Sequence, residues 1–448
     1  MSLAGPEPGL AAPQAFEAAQ AAVGLGAVYT LTTLVVAVTL AFLDRQAINL
    51  VVDAIRADAK ITDTQVSLLQ GAAFTLVYTT TMLPVAWASD RHNRKHIIIG
   101  SIVAWSGMTI AFGLARGFAA LLMTRAGVAL GEAGITPASV SIIRDVYPRH
   151  RQGTAISIMT LGVYIGGAIS LSGGGPLLSW LQGLNGGLPG GLSPWRFLFI
   201  GAGALGVAPV AMLFFMREPR RERRPEAPTS SREFLRLTVI LRTQALAYLC
   251  AYVGIFLLST AAGAWLPTLF MRNHGWSPRT IGLLFGPVQL VCGACGALFG
   301  GWVVDLLVAR GDSSALIRVV RLGVVALAVG SLLAALLPDP ALALAANGLS
   351  LFGVGICIGL GSLGFQAMFP ARFSGRGVAI YLLVTGVLGA SIGPTVVPLL
   401  TGLLGNGKNV GPALGCWSVL AGAWSLAWLT WSLIVSRREG SSAAPAVS

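Results

Sequence analysis

Four ionisable residues stand inside the long apolar stretches of this 448-residue chain: Asp44 and Arg45 in the first, Arg125 and Glu132 in the fourth. Two carboxyls beside two guanidiniums suit one kind of chemistry, holding a proton and holding an anion. A buried carboxyl resists ionisation, and an adjacent Arg opposes that resistance. Moving the Arg, or letting an anionic substrate occupy it, would switch the acid's hold on its proton. Asp44 and Glu132 are therefore expected to take up and release a proton. Arg45 and Arg125 are expected to hold either the substrate anion or the acids. The competing reading is a static ion network that only fixes helix packing. A charge at the centre of a span costs roughly 2.5–3.5 kcal/mol on insertion scales, so all four should face an internal, wet cavity.

The other reactive residue types form no such constellation. His92, His96 and His150 fall in loops on one side of the chain and His274 on the other, with no nucleophile–base pair beside them. Cys292-Gly-Ala-Cys295 has a zinc-like spacing but no second ligand pair, and Cys250, Cys357 and Cys416 lie apart in apolar runs. Gly359-x-Gly361-x-x-Gly364 matches a dinucleotide fingerprint but lies within an apolar run with no βαβ unit around it. The expectation is no metal, no cofactor, no ATP drive and no enzyme.

What positions the four charges is a membrane fold. The chain is 55% hydrophobic and 10% charged, where a soluble protein carries about 25% charged residues. A span needs roughly 20 apolar residues. Twelve such stretches occur, at about 28–52, 64–89, 96–115, 118–146, 153–183, 195–216, 244–271, 279–307, 318–337, 341–368, 377–404 and 411–435. They do not alternate apolar with polar as barrel strands would, so they predict an all-α membrane protein of twelve helices. Residues 1–27 hold no Lys or Arg, hence no basic leader, and predict a disordered tail. Residues 28–216 form one six-helix bundle and 244–436 a second. The Arg-rich stretch 217–243 links them, and 437–448 is a tail.

Of the 30 Lys and Arg residues, 21 fall on the side holding the loops after even-numbered spans. Seven fall on the other side, and Arg45 and Arg125 are within spans. The basic side should be cytoplasmic, which puts both termini inside a bacterial-type inner membrane. The net charge of +13 then reflects membrane anchoring, and no nucleic-acid partner is expected. At ~1.5 Å per residue, Asp44 lies about 24 Å into span 1 and Glu132 about 21 Å into span 4, both near the midplane. Arg125 and Glu132, seven residues apart, share one face of span 4. Their ~10 Å axial separation keeps them from touching.

A knot of charge, Asp90-Arg91-His92-Asn93-Arg94-Lys95, closes the turn between spans 2 and 3. The two halves repeat. Asp90 at the end of span 2 matches Asp305 at the end of span 8, and Pro148 with Gly153 matches Pro370 with Gly375. Internal repeats with a midplane site between them are how many transporters are built.

These residues resemble the major facilitator superfamily, whose loop between spans 2 and 3 reads Gly-x-x-x-Asp-Arg-x-Gly-Arg-Arg/Lys. Ala86, Asp90, Arg91, Asn93, Arg94 and Lys95 stand at those positions, with both glycines replaced. The closer likeness is to spinster-like transporters, carried by Phe42-Leu43-Asp44-Arg45-Gln46, Asp63-Thr64-Gln65-Val66-Ser67-Leu68-Leu69 and Arg125-x-Gly127-Val128-x-x-Gly131-Glu132-Ala133-Gly134. The resemblance implies two pseudo-symmetric six-helix bundles and alternating access. It also implies a cytoplasmic gate in which Asp90, with Arg91 and Arg94, meets the start of span 11 and Arg144 at the end of span 4. For Arg91, Arg94 and Lys95, simple anchoring of the cytoplasmic face is the other reading.

Spinster-like proteins imply a lysophospholipid- or sphingosine-like amphiphile, moved by a proton-coupled monomer. A polar N-terminal wall opposite a C-terminal wall with only Gln289, Gln366, Tyr381, Thr385 and Ser391 as polar candidates agrees with that substrate. A proton-coupled symporter of small organic anions is the alternative, because Arg45 and Arg125 would suit it too.

Overall fold

The computed structural model describes residues 24–89, 91–184, 189–218, 242–312, 314–366, 368–369, 374–404 and 409–442. Twelve helices there are long and apolar enough to cross a membrane. Spans 1–6 are Leu25–Leu50, Asp63–Ser89, Arg94–Leu114, Gly117–Val146, Arg151–Gln182 and Pro194–Phe215. Spans 7–12 are Thr243–His274, Pro278–Ala309, Ala315–Leu336, Pro340–Gln366, Gly377–Leu403 and Gly411–Val435. The described residues contain no strand, as expected where lipid cannot satisfy an open sheet edge. Most of the expected linker, 219–241, residues 1–23 of the first expected tail and 443–448 of the second lie outside the described residues, while 437–442 of the second continue the last helix, Gly411–Ser442.

Helix starts follow local chemistry. Thr62 and Gln65 form a reciprocal capping box at span 2, with Thr62 N–H donating to Gln65 Oε1 at 2.9 Å. Asn93 accepts from the His96 N–H at 3.0 Å to start span 3, and Ser277 accepts from the Thr280 N–H to start span 8. Such caps satisfy N–H groups that the helix leaves orphaned. Span 11 widens into a π-helical turn at Thr385–Ala390, where the Ser391 N–H bonds Gly386 O at 3.0 Å. Gly393 and Pro394 follow that turn.

The face carrying the linker is called the linker face here, and its opposite the far face. Among the described residues, four sets of polar contacts tie the two halves together, between mid-depth and the far face. Arg272 of span 7 binds Asp53 and Asp63, Arg279 N–H donates to Ser179 Oγ at 3.1 Å, Gln70 donates to Ala264 O at 3.4 Å, and Gln46 donates to Gln289. Small residues let the helices approach there. A Cβ on Gly71 would stand 2.6 Å from Ser391 O of span 11, and one on Gly282 would press on the Leu171 carbonyl of span 5. Such close approach through glycine replaces the hydrophobic drive that lipid removes.

Candidate functional site

Spans 1 and 4 place the four charges in two crossed pairs. Arg45 Nε donates to Glu132 Oε2 at 2.7 Å, and Arg125 donates through one terminal nitrogen to Asp44 Oδ2 at 3.1 Å. Arg125 and Glu132 do not touch each other, as their spacing predicts. Each reaches instead to one of two neighbours on span 1. The two pairs differ in access. The Asp44 and Arg125 side chains are 0% and 2% exposed and Glu132 is 1%, whereas Arg45 is 22% exposed.

This corrects the expectation that all four face a wet cavity. Asp44–Arg125 is a buried contact between helices, and Arg45 is the one partly exposed side chain of the four. The reason is steric. Adjacent residues on a helix point about 100° apart, so when Arg45 faces outward Asp44 is turned into the packing between spans 1 and 4.

Three rings close around the Arg45 guanidinium. Its Cζ lies 4.5 Å from the Phe42 ring centre, 4.3 Å from Phe74 and 4.3 Å from Tyr78. Phe74 also lies 4.9 Å from the Arg125 Cζ. Desolvated cation–π contacts are worth about 2 kcal/mol each at best, enough to hold Arg45 against partial dehydration. Glu132 Oε1 and Asp44 Oδ1 are buried without a hydrogen bond. The Trp105 indole N–H is likewise buried without a hydrogen bond.

The loop charges divide between buried and exposed positions. Arg94 is buried at the start of span 3. It pairs with Asp145 of span 4 and with Glu218 just beyond span 6, at 2.8 Å from Glu218. Glu218 also accepts from the Arg94 and Lys95 N–H groups, and Lys95 Nζ donates to the Phe214 and Met216 carbonyls. Arg94 thus clamps spans 3, 4 and 6 of one half. The span 4 residue meeting this loop is Asp145, while Arg144 is exposed. Arg91 lies with its Cζ 3.8 Å over the Trp87 ring. Asp90 lies outside the described residues, as does most of the stretch before span 11.

On the C-terminal side, Tyr381 is buried among Tyr252, Phe256 and Phe365, Thr385 donates to Tyr381 O, and Ser391 donates to Gly386 O. These three serve their own half. Among the described hydrogen bonds of these candidates, that of Gln289 crosses to the N-terminal half, accepting from Gln46 at 3.3 Å.

Two ion clusters on the far face escaped the sequence reading. Arg272 bonds Asp53 at 2.6 Å and Asp63 at 2.8 Å. Asp58 accepts from Ser193, Trp195 and Arg196, the last at 2.7 Å. The signal was available: Asp53, Asp58 and Asp63 recur every five residues between spans 1 and 2, on a face otherwise poor in charge. Among the described residues no group of His, Cys, Asp and Glu could hold a metal ion.

A buried charge cluster between helices, at mid-depth of two six-helix halves, is the architecture of a secondary membrane transporter. The chain belongs to the Major Facilitator Superfamily, whose family model matches residues 34–394. It is 28% identical over 375 residues to an MFS-type efflux pump of Mycolicibacterium smegmatis, covering 81% of this chain and 82% of that one. It is 24% identical over 412 residues to a D-galactonate transporter of Escherichia coli, covering 86% and 90%. Its fold matches the crystal structure of a bacterial homologue of the human lysosomal transporter spinster in an inward-facing, unoccupied conformation. That match has a TM-score of 0.75 and 25% identity over 92% of this chain and 96% of the other. The spinster-like resemblance read from spans 1 and 4 is thereby upheld.

Proposed function

We propose that this chain is a proton-coupled transporter, working by alternating access, that moves an organic anion bearing an apolar part, of the lysophospholipid kind. The observation that carries this reading is the asymmetry of the Arg45–Glu132 pair: an accessible cation bound to a buried acid. An anion arriving on Arg45 competes with Glu132 for the guanidinium. A carboxylate left without its cation in a low-dielectric interior binds a proton. Anion binding and proton binding are then linked, and linkage works in both directions. Asp44–Arg125 holds spans 1 and 4 in register beneath this switch.

The apolar part of the substrate is supported by the C-terminal half, whose Tyr381, Thr385 and Ser391 turn inward to their own helices. A second reading, a polyhydroxy acid, is favoured by the likeness to a D-galactonate transporter across 86% of the chain.

Purified protein in proteoliposomes, given an imposed pH gradient, tests the reading with 1-oleoyl-lysophosphatidylglycerol and D-galactonate as probes. One probe should move with the gradient, and Glu132→Gln should abolish the gradient's effect. Transport by wild type that ignores the gradient, or transport by Glu132→Gln that still follows it, would overturn proton coupling through Glu132.

A further inference from the structure

Span 8 meets span 5 along a face made of Gly282, Gly286, Gln289 and Gly293, spaced by four, three and four residues. Such spacing puts all four on one side of a helix. The three glycines let the helices close: a Cβ on Gly286 would strike Ser172 Oγ, and one on Gly293 would stand 3.3 Å from the Tyr164 ring. Gln289 breaks this pattern with a long amide. Span 5 accommodates it with a notch at Gly167, where a Cβ would stand 2.7 Å from Gln289 Nε2. Through that notch the amide crosses into the other half and accepts from Gln46 Nε2. Gln46 follows Arg45 directly in span 1. Among the described contacts, Gln46 Oε1 and Gln289 Nε2 take no protein partner. The amide pair therefore keeps one acceptor and one N–H₂ group unspent, one residue along span 1 from Arg45.

We propose that Gln46 and Gln289 form a hydroxyl-binding subsite next to the anion site, one amide from each half, and that it selects anions whose head carries hydroxyl groups. The inference rests on the reading of Arg45 as the anion site. A free acceptor and a free donor suit a hydroxyl, which both donates and accepts. Because the subsite spans the seam between halves, a hydroxylated head bridges the two amides only when both halves stand close. A site built to hydrogen-bond a hydroxyl discriminates strongly against an analogue that lacks it, because its polar groups are then left unpaired. The same head chemistry occurs in a glycerol-bearing lysophospholipid and in a sugar acid.

Binding to the purified full chain, with two probe pairs, tests this. The first pair is 1-oleoyl-lysophosphatidylglycerol and 1-oleoyl-lysophosphatidylmethanol, alike in charge and acyl chain. The second is D-galactonate and hexanoate, alike in charge and carbon count. The pair that binds identifies the source of the head. Its hydroxylated member should bind about tenfold or more tighter than its partner. Gln289→Leu should erase that preference by weakening the hydroxylated probe alone. Gln46→Leu should do the same, and the double variant should lose no more than either single one, as for two residues acting as a unit. No preference in the wild type, or equal weakening of both members by Gln289→Leu, would overturn the subsite. Arg45→Gln reads the anion site separately: it should weaken both members of the binding pair alike. Binding untouched by that change would remove the anion site, whatever Gln289→Leu does to selectivity.

Discussion

Arg45 bonds Glu132 on span 4 at 2.7 Å and leaves its chain neighbour Asp44 to Arg125 at 3.1 Å. The crossing gives one pair an open side and seals the other. It also separates two tasks that adjacent residues could not otherwise divide. One ring, Phe74, lies against both guanidiniums.

Sealing has a cost that mutation should expose. Asp44→Asn would leave Arg125, 1% exposed, without a counter-charge. Breaking a buried pair by removing one partner typically costs about 3–5 kcal/mol. Glu132→Gln strands Arg45 instead, which keeps an open side and three aromatic rings. Thermal unfolding in detergent should therefore show a larger drop in Tm for Asp44→Asn than for Glu132→Gln. Asp44→Asn combined with Arg125→Gln should regain part of the loss. Equal losses for the two single variants would contradict the division of roles.

Among the described contacts, Arg272 makes the largest set of polar bonds between the halves, at 2.6–3.2 Å to Asp53 and Asp63. Asp53 is 42% exposed, so solvent screens part of the attraction. A net contribution of about 1–2 kcal/mol to far-face closure is expected, which is roughly a 5–30-fold shift in population. Spin labels at the exposed positions Ala57 and Asn273 report on this closure. Arg272→Gln should lengthen the distance between them or add a longer component. An unchanged distance distribution would mean that helix packing alone closes the far face.

The number and type of helices were legible because composition and run length fix them wherever the backbone must satisfy itself in lipid. Asp44, Arg45, Arg125 and Glu132 were legible because charge inside an apolar run is expensive. Which of them meets water was not. That depends on how span 1 is rotated against span 4, and one residue of rotation exchanges Asp44 for Arg45. The burial of Arg94 was not legible from its loop position, because it depends on Asp145 and Glu218, which are 51 and 124 residues away. The Arg272 latch was missed for a similar reason, since its partners lie 209 and 219 residues earlier in the chain.

Asp58 sits in the short helix Val52–Ala59, outside the spans. Partial burial pushes its carboxyl up, but donation from Ser193, Arg196 and Trp195 outweighs this and holds it below its ordinary value. A group lowered in the folded state stabilises fully above its unfolded pKa, about 3.9, and loses that contribution as pH falls through its folded value. Asp58→Asn should cost about 1–3 kcal/mol at neutral pH, the scale of hydrogen bonds to a charged group. Tm should differ between variant and wild type from pH 7 down to about pH 4, and the two should converge below that. A gap that stays constant to pH 3 would show that charge on Asp58 is not what Arg196 uses.

The far-face seam makes a separate demand on Gly282. A Cβ there would press on the Leu171 carbonyl, with Pro176 Cδ at 3.0 Å and Gly175 Cα at 3.1 Å. These are backbone and ring atoms of span 5, so they give way only if the two helices part. In an unpacked helix Gly→Ala is stabilising by roughly 0.5–1 kcal/mol. Gly301 offers the control, because a Cβ there meets nothing within 4 Å. Gly282→Ala should shift the Ala57–Asn273 label distances in the same direction as Arg272→Gln, while Gly301→Ala leaves them unchanged and raises Tm slightly. The seam and the latch act on one equilibrium, so combining Gly282→Ala with Arg272→Gln should open the far face further than either change alone. Label distances that Gly282→Ala does not move would place the hinge elsewhere than the contact between spans 5 and 8.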